Sequence, residues 1–185
     1  MIAVIDYGVG NLFSLKSSLS AIGQEAVVTR DQEELDRADH ILLPGVGAFG
    51  DAVEKLRSTG MDRAVLRQAA AGKPLLGICL GMQLLFETSF EYGEHQGLGL
   101  ISGQVRDIGT VLPSGLAIPH MGWNALHFPG ERPRSPIFAA LEEGEHVYFV
   151  HSYAGFACGE GLTAWTEYGA PLTAAVQRGN VYGTQ

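Results

Sequence analysis

The heptapeptide GICLGMQ, residues 77–83, places Cys79 between two glycines, each two positions away. An apolar segment precedes the cysteine and a helical pattern follows it, as in a nucleophile elbow with sulfur in place of a hydroxyl. In such a tight turn, side chains two residues before and after the nucleophile would collide, so both positions require glycine. We expect Cys79 to be a nucleophile whose thiol pKa is lowered by the following helix. The alternative is a small core cysteine between glycines that serve packing.

A glycine-rich loop, PGVGAFGD at residues 44–51, follows another predicted strand. Its backbone N–H groups could hold an oxyanion, and each such donor contributes a factor of about 10²–10³ in rate. The loop could instead be a βα turn that needs positive φ. A phosphate site is a weaker alternative, because the loop lacks the Lys-Ser/Thr ending of a P-loop.

The elements that must position these residues alternate between strand and helix in the first half of the chain, which predicts an α/β fold with a parallel sheet covered on both faces. The predicted strands are residues 2–6, 25–30, 40–45 and 74–80, and the predicted helices are residues 11–22, 50–58, 61–71 and a segment that begins with GMQLLFETS at 81–89.

After Glu91 the pattern becomes β-rich, and we interpret this half as an extension of the same sheet. Its predicted strands are residues 97–108, 115–126, 146–154, 162–168 and 172–184, and PGERPRSP at 129–136 is a predicted surface loop.

Composition narrows the class of protein. The 185 residues carry 12 basic and 20 acidic side chains, a net charge of −8, without a basic cluster, which argues against nucleic acid as a partner. The longest apolar runs are too short to span a bilayer, and the start lacks the pattern of a signal peptide. Two cysteines suit a reducing cytoplasm, and the six histidines lack the paired spacing of a zinc site, so we expect neither metal nor cofactor. We expect a single domain over residues 1–185.

Five motifs in order carry a family resemblance. PGVGAFGDA and GICLGMQLLFE resemble class I glutamine amidotransferase domains. DYGVGN at 6–11, PHMGWN at 119–124 and YFVHSY at 148–153 are similar to segments of the glutaminase subunits of imidazole glycerol phosphate synthase. The resemblance covers essentially the whole chain and implies a flavodoxin-like sheet, open, twisted and flanked by helices. It also implies hydrolysis of glutamine through a thioester on Cys79, and transfer of ammonia to a (βα)₈-barrel cyclase partner in a cytoplasmic heterodimer of histidine biosynthesis.

The resemblance assigns roles residue by residue. It implies an oxyanion hole formed by Gly45, Val46, Gly47 and Leu80, substrate contacts from Gln83, Glu91, Ser152 and Tyr153, and a partner surface that includes Asn11, His120, Met121, Trp123 and Asn124. Some readings stay open. Asn11 could be an N-cap, and Trp123 could be buried in the sheet. Gln83 could be a helix surface residue, and Ser152 and Tyr153 could merely end a strand.

The base that would activate Cys79 is the unresolved part of the pattern. In the family a histidine and a glutamate follow the last strand, in a segment that reads roughly F-H-P-E-K-S, whereas the present sequence reads GNVYGTQ up to Gln185. We expect the natural protein to continue with that His-x-Glu segment, and we do not expect His151 to replace it. Three rivals remain: an inactive partner-binding subunit of the same fold, an amidotransferase of another synthase, and an unrelated cysteine hydrolase.

Overall fold

A computed structural model describes residues 1–130 and 133–185, so residues 131–132 of the predicted surface loop lie outside the described part. The described helices include none long and apolar enough to cross a membrane. In chain order the elements are β1 Ile2–Ile5, α1 Leu12–Ala21, β2 Ala26–Thr29, α2 Gln32–Arg37, β3 His40–Leu43, α3 Phe49–Ser58, α4 Met61–Ala70, β4 Leu75–Ile78, α5 Leu80–Leu84, β5 Phe86–Ser89, β6 His95–Gln96, β7 Ile101–Asp107, β8 His120–Ala125, β9 His146–His151, β10 Tyr153–Phe156, β11 Leu162–Glu167, β12 Pro171–Arg178 and β13 Val181–Thr184.

The main sheet has seven strands in the order β11-β12-β13-β4-β3-β1-β2. Five neighbouring strands, β13, β4, β3, β1 and β2, run parallel, and β12 and β11 add an antiparallel edge. The predicted α/β class with a mostly parallel sheet is therefore confirmed. The parallel strands deliver their carboxyl ends to one edge, where open α/β sheets bind ligands.

Helices cover both faces of this sheet because its strands are apolar on both sides. Leu19 of α1 packs with Val4 and Leu42 on one face. On the other face the largest core cluster joins Ile5 and Leu43 to α3, α4 and α5. Residues of this cluster that are fully buried include Ala3, Ile5, Leu35, Ile41, Leu43, Phe49, Leu56, Val65, Leu75, Met82, Leu84, Leu85 and Phe86.

The β-rich second half does not simply extend the main sheet, so that part of the prediction is wrong. Only β11, β12 and β13 join it; β10, β7, β5 and β6 form a second sheet, and β8 pairs with β9 as a separate antiparallel ribbon. Predicted boundaries also change. The predicted strands at 97–108 and 115–126 shorten to β7 and β8, the one at 146–154 divides into β9 and β10, and the one at 172–184 divides into β12 and β13. The reversal falls at Gly179, whose φ is +58° and which a residue with a side chain would adopt only under strain.

The predicted helix over GMQLLFETS is also shorter than expected. It ends at Leu84, and Phe86–Ser89 form β5, which runs parallel to β7. Leu84, Leu85 and Phe86 are all fully buried, so apolar periodicity could not distinguish strand from helix there. The short helix α2 was missed because only Leu35 of its six residues is buried, which leaves no apolar stripe in the sequence.

Candidate active site

Cys79 occupies a strained turn between β4 and α5. Its φ of 55° and ψ of −118° are unusual for a residue with a side chain, and the surrounding packing must hold it there. A Cβ on Gly77 would lie 2.6 Å from the carbonyl oxygen of Gly81, and a Cβ on Gly81 would lie 1.9 Å from that of Leu43. Both flanking glycines are therefore sterically required, as the elbow interpretation predicted.

The thiol opens into a cleft of about 370 Å³ at the carboxyl edge of the main sheet. The cleft gathers the predicted nucleophile, part of the predicted oxyanion loop and all four predicted substrate-binding residues. Its lining comprises Val46, Gly47, Cys79, Leu80, Gln83, Glu91, Pro119, Val150, His151, Ser152 and Tyr153. Gly45 is the exception: it is buried behind the turn, where a Cβ would lie 2.7 Å from the Gly81 nitrogen.

One backbone donor contacts the nucleophile: the Leu80 N–H bonds to the Cys79 sulfur. Gly47, with a φ of +90°, lines the same cleft from the loop after β3. The buried Tyr7 hydroxyl donates to the Pro44 carbonyl at 2.8 Å and fixes the start of this loop.

The expectation of a lowered thiol pKa is not met. Burial raises the pKa of Cys79, and the Leu80 N–H only partly opposes that shift. The physical reason is local: α5 has only five residues, and among the described residues no cationic side chain hydrogen-bonds to the sulfur. Cys79 is therefore mainly a neutral thiol near neutral pH, and it needs a base to become a nucleophile.

Gln83 links three parts of the cleft. Its amide nitrogen donates to the Tyr153 carbonyl at 3.2 Å and to the Gln185 side-chain oxygen at 3.0 Å. The Gln185 amide nitrogen in turn lies 3.8 Å from the Cys79 sulfur. The amide that ends the described chain is thus held beside the nucleophile by the side chain expected to contact substrate.

Glu91 is buried, and one of its carboxylate oxygens accepts the Phe49 N–H at 2.6 Å at the start of α3. Burial raises the pKa of this carboxyl, and the Phe49 bond opposes the shift. Glu91 also lines the cleft, where a carboxylate suits a cationic group.

His151 lines the cleft but is not free to act as the base. Its Nδ1 lies 2.9 Å from the Tyr153 carbonyl and its Nε2 lies 3.0 Å from Nδ1 of His120. Burial lowers the pKa of His151 to about 4. Among the described residues no histidine hydrogen-bonds to the Cys79 sulfur.

The predicted partner residues divide between surface and interior. Trp123 is 69% exposed and Met121 58% exposed, so the alternative of a buried tryptophan is wrong. His120 has no exposed surface, and its placement on the partner surface needs correction: strand alternation turns it inward, opposite Met121. Asn124 is half-buried on the inward side as well.

Asn11 is an N-cap, because its side-chain oxygen accepts the Ser14 N–H at 3.2 Å. The DYGVGN segment containing it lies against the oxyanion loop, since a Cβ on Gly10 would be 3.1 Å from the Pro44 side chain. Sequence reasoning named this motif without seeing that Tyr7 supports Pro44. It also missed Gln185 and Pro119, for which only proximity in the fold gives a signal.

The comparisons with known proteins agree with this geometry. The family model described as "Glutamine amidotransferase class-I" matches residues 3–185. The imidazole glycerol phosphate synthase subunit HisH of Wolinella succinogenes is 45% identical over 187 residues, covering 100% of this chain and 90% of that protein. The HisH subunit of Bacillus velezensis is 48% identical over 189 residues, covering 100% of this chain and 87% of its own length.

Solved structures with low sequence identity share the fold. A glutamine amidotransferase crystal structure superposes with a TM-score of 0.74 at 20% identity, covering 100% of this chain and 88% of that one. The glutaminase domain of Trypanosoma brucei CTPS, with bound acivicin, gives a TM-score of 0.68 at 16% identity, covering 100% and 84%. At these identities the likeness supports the architecture alone.

Proposed function

Because the chain belongs to the class I glutamine amidotransferase family, we propose that it hydrolyses glutamine to glutamate and ammonia through Cys79. The observation that carries the proposal is the strained cysteine at the elbow, with the Leu80 N–H on its sulfur, inside a cleft lined by Gln83 and Glu91. A thiol held this way suits attack on an amide carbon, and the backbone donors suit the oxyanion that results.

In the proposed reaction, the Cys79 sulfur attacks the side-chain amide carbon of glutamine after a base removes the thiol proton. The tetrahedral intermediate places its oxyanion near the Leu80 N–H and the loop containing Val46 and Gly47. Its collapse breaks the carbon–nitrogen bond, and the leaving nitrogen takes a proton to depart as ammonia. Water then hydrolyses the glutamyl thioester, which restores the thiol and releases glutamate.

The substrate's α-groups account for the polar wall of the cleft. The Glu91 carboxylate suits the α-ammonium, because a charge-assisted hydrogen bond is roughly twice as strong as a neutral one. The Ser152 hydroxyl and the backbone beside Tyr153 suit the α-carboxylate. Gln83, already bonded to the Tyr153 carbonyl, holds this wall in position relative to Cys79.

The base that this reaction needs is, by the family resemblance, a histidine oriented by a glutamate. The Gln185 side chain, directly after β13, reaches 3.8 Å from the sulfur, so the end of this strand lies beside the nucleophile. A general base contributes a factor of about 10²–10⁴ in rate, which the buried neutral thiol lacks on its own.

The ammonia acceptor that we propose is the barrel-shaped cyclase subunit of imidazole glycerol phosphate synthase. The names of the relatives at 45–48% identity support this choice over another synthase. The exposed faces of Trp123, Met121 and Val150 beside the cleft suit a docked protein, since aromatic residues are enriched in interface cores. Two free cysteines suit a cytoplasmic location for this complex.

The test measures glutamate release by the full-length protein mixed with the cyclase subunit, using wild type and Cys79→Ala. We expect measurable turnover in the wild type and a loss of at least about 10³-fold in the variant, because no other group can form the thioester. Binding of the variant to the cyclase serves as the control for folding. Equal turnover by both proteins would overturn the role of Cys79, whereas binding without any turnover would favour an inactive partner-binding subunit.

A further inference from the structure

Two buried histidines, His120 on β8 and His151 on β9, face each other beside the cleft, which His151 itself lines. We propose that these rings share one extra proton near neutral pH and that the bonded pair positions the Tyr153 carbonyl and Gln83 in the glutamine-binding wall. The catalytic consequence rests on the proposed function, but the protonation state does not.

The hydrogen bonds form an unbroken row. His151 Nδ1 lies 2.9 Å from the Tyr153 carbonyl, and His151 Nε2 lies 3.0 Å from His120 Nδ1. His120 Nε2 lies 2.9 Å from the side-chain oxygen of Asn124. The Asn124 amide nitrogen donates to the Glu167 carbonyl at 3.0 Å, which fixes the orientation of that amide.

Counting protons in this row gives the inference. Both ends of the row, the Tyr153 carbonyl and the Asn124 oxygen, can only accept. Two imidazoles between two acceptors make three hydrogen bonds, which need three N–H protons, whereas two neutral imidazoles carry only two. With a neutral pair, one contact of 2.9–3.0 Å would bring two lone pairs together. One additional proton satisfies all three contacts.

The surroundings indicate which ring carries the extra proton. Burial keeps His151 neutral, because its pKa falls to about 4, so it accepts at Nε2 while donating from Nδ1. His120 then donates from both nitrogens. Its ring stacks on Tyr168 at 4.2 Å and on Phe149 at 5.0 Å between centroids, and aromatic faces attract a cation.

The titratable groups near the pair provide no competing counter-charge. Tyr153 and Glu167 meet the row through their main-chain carbonyls, and Tyr168 through its ring face. In the described residues no carboxylate forms an ion pair with either ring. The extra proton is therefore held by neutral acceptors and ring faces, which makes it sensitive to the loss of any one acceptor.

The row also connects two surfaces. The Tyr153 carbonyl accepts from Gln83 as well as from His151, so the row reaches the substrate wall. At its other end, His120 and Asn124 alternate along β8 with the exposed Met121 and Trp123. A partner bound to the outward face of β8 would thus affect Asn124, whose side-chain oxygen is the acceptor at this end of the row.

The decisive experiment labels the histidines with ¹⁵N and counts the N–H groups of this pair by NMR near neutral pH. We expect three protonated ring nitrogens for the wild type, with His151 Nδ1–H and both nitrogens of His120 protonated. In Asn124→Leu the end acceptor is gone, so two protons satisfy the row, and we expect two. Asn124→Asp keeps an acceptor and should retain three. The exposed His146 on β9 is the internal reference.

Two protonated nitrogens in the folded wild type would overturn the shared proton without any need for the variants. For the positioning role, Asn124→Leu should raise KM for glutamine by about 2–10-fold, as expected for loss of one hydrogen bond, with a smaller change in kcat. An unchanged KM would overturn that role. A wild type without glutaminase activity would contradict the proposed function and leave the NMR result standing.

Discussion

At the scale of single residues, the site combines a constrained nucleophile with a buried acid. Cys79 is held at positive φ by two glycines that admit no side chain, while burial keeps its thiol neutral. Glu91 faces two demands, because it accepts the Phe49 N–H and also lines the cleft. In the proposed reaction the same carboxylate binds the substrate ammonium, so it serves both the start of α3 and the substrate.

Substituting Glu91→Gln should therefore change stability and activity in opposite directions. Glutamine keeps an acceptor for Phe49 and removes the charge that burial penalises. Because the folded-state pKa of Glu91 is raised, the wild type is favoured at acidic pH and loses stability as pH rises through the unfolded and then the folded pKa. In thermal melts, the melting temperature of the variant should thus rise relative to that of the wild type as the pH increases from about 4 to 7.

The same variant should bind glutamine less tightly. Loss of a charged hydrogen-bond partner costs about 1.5–3 kcal/mol, which corresponds to roughly a 10–150-fold increase in KM. Steady-state kinetics with the cyclase partner measure this, and Glu33→Gln, on the exposed first turn of α2, is the matched loss of one carboxylate. A KM unchanged by Glu91→Gln would contradict the assignment of Glu91 to the substrate ammonium.

At the scale of elements, the turn between β4 and α5 depends on backbone contact with the end of β3. Gly81 lies so close to Leu43 that an added Cβ would be 1.9 Å from its carbonyl oxygen. The oxyanion loop follows β3 directly, and the nucleophile follows β4. Close packing of these two turns is therefore what places the loop after β3 beside Cys79.

Gly81→Ala should destabilise the protein by about 1–3 kcal/mol or more, because the Leu43 carbonyl belongs to a central strand that cannot move aside. Thermal or urea denaturation measures the change. Gly130→Ala is the control, since a Cβ there meets nothing within 4 Å. If both variants unfolded at the wild-type temperature, the close contact between Gly81 and Leu43 would not matter for the stability of the fold.

The sequence was most informative where structure is local. The elbow at Cys79 could be predicted because a Cβ on Gly77 would clash with the Gly81 carbonyl, within five residues of chain, whereas the clash that requires Gly81 involves Leu43 of β3 and gives no local signal. The end of α5 could not, because Leu84 to Phe86 are buried whether they form helix or strand. The pairing of His120 with His151 was also beyond reach, since it depends on the register of two strands that the sequence does not specify.

At the scale of the whole molecule, the ribbon formed by β8 and β9 presents an exposed apolar face beside the cleft. Trp123 meets Tyr148 edge-on, with ring centroids 5.7 Å apart, and Val150 is 52% exposed. Tyr153, at the start of β10 in the second sheet, and Glu91, two residues after β5, also line the cleft. The cleft thus sits between a surface suited to a partner and the core of the domain.

Trp123→Ala should weaken binding to the cyclase subunit by about 30-fold or more, because buried aromatic anchors often contribute 2 kcal/mol or more. The melting temperature should change little, since the side chain is 69% exposed in this chain alone. Calorimetry with the partner measures the affinity. Ile22→Ala, at the end of α1 and 71% exposed, is the control; equal effects of the two substitutions would rule out a specific anchor.

The place of β13 in the sheet has a consequence for the order of events during synthesis. Val181–Thr184 pairs in parallel with Leu75–Ile78, and the Cys79 N–H bonds to the Thr184 carbonyl at 2.8 Å. More than a hundred further residues must therefore be synthesised after β4, which precedes the nucleophile, before its neighbour β13 can pair with it. The nascent chain contains Cys79 long before the site around it is complete, so we expect no glutaminase activity from ribosome-bound intermediates.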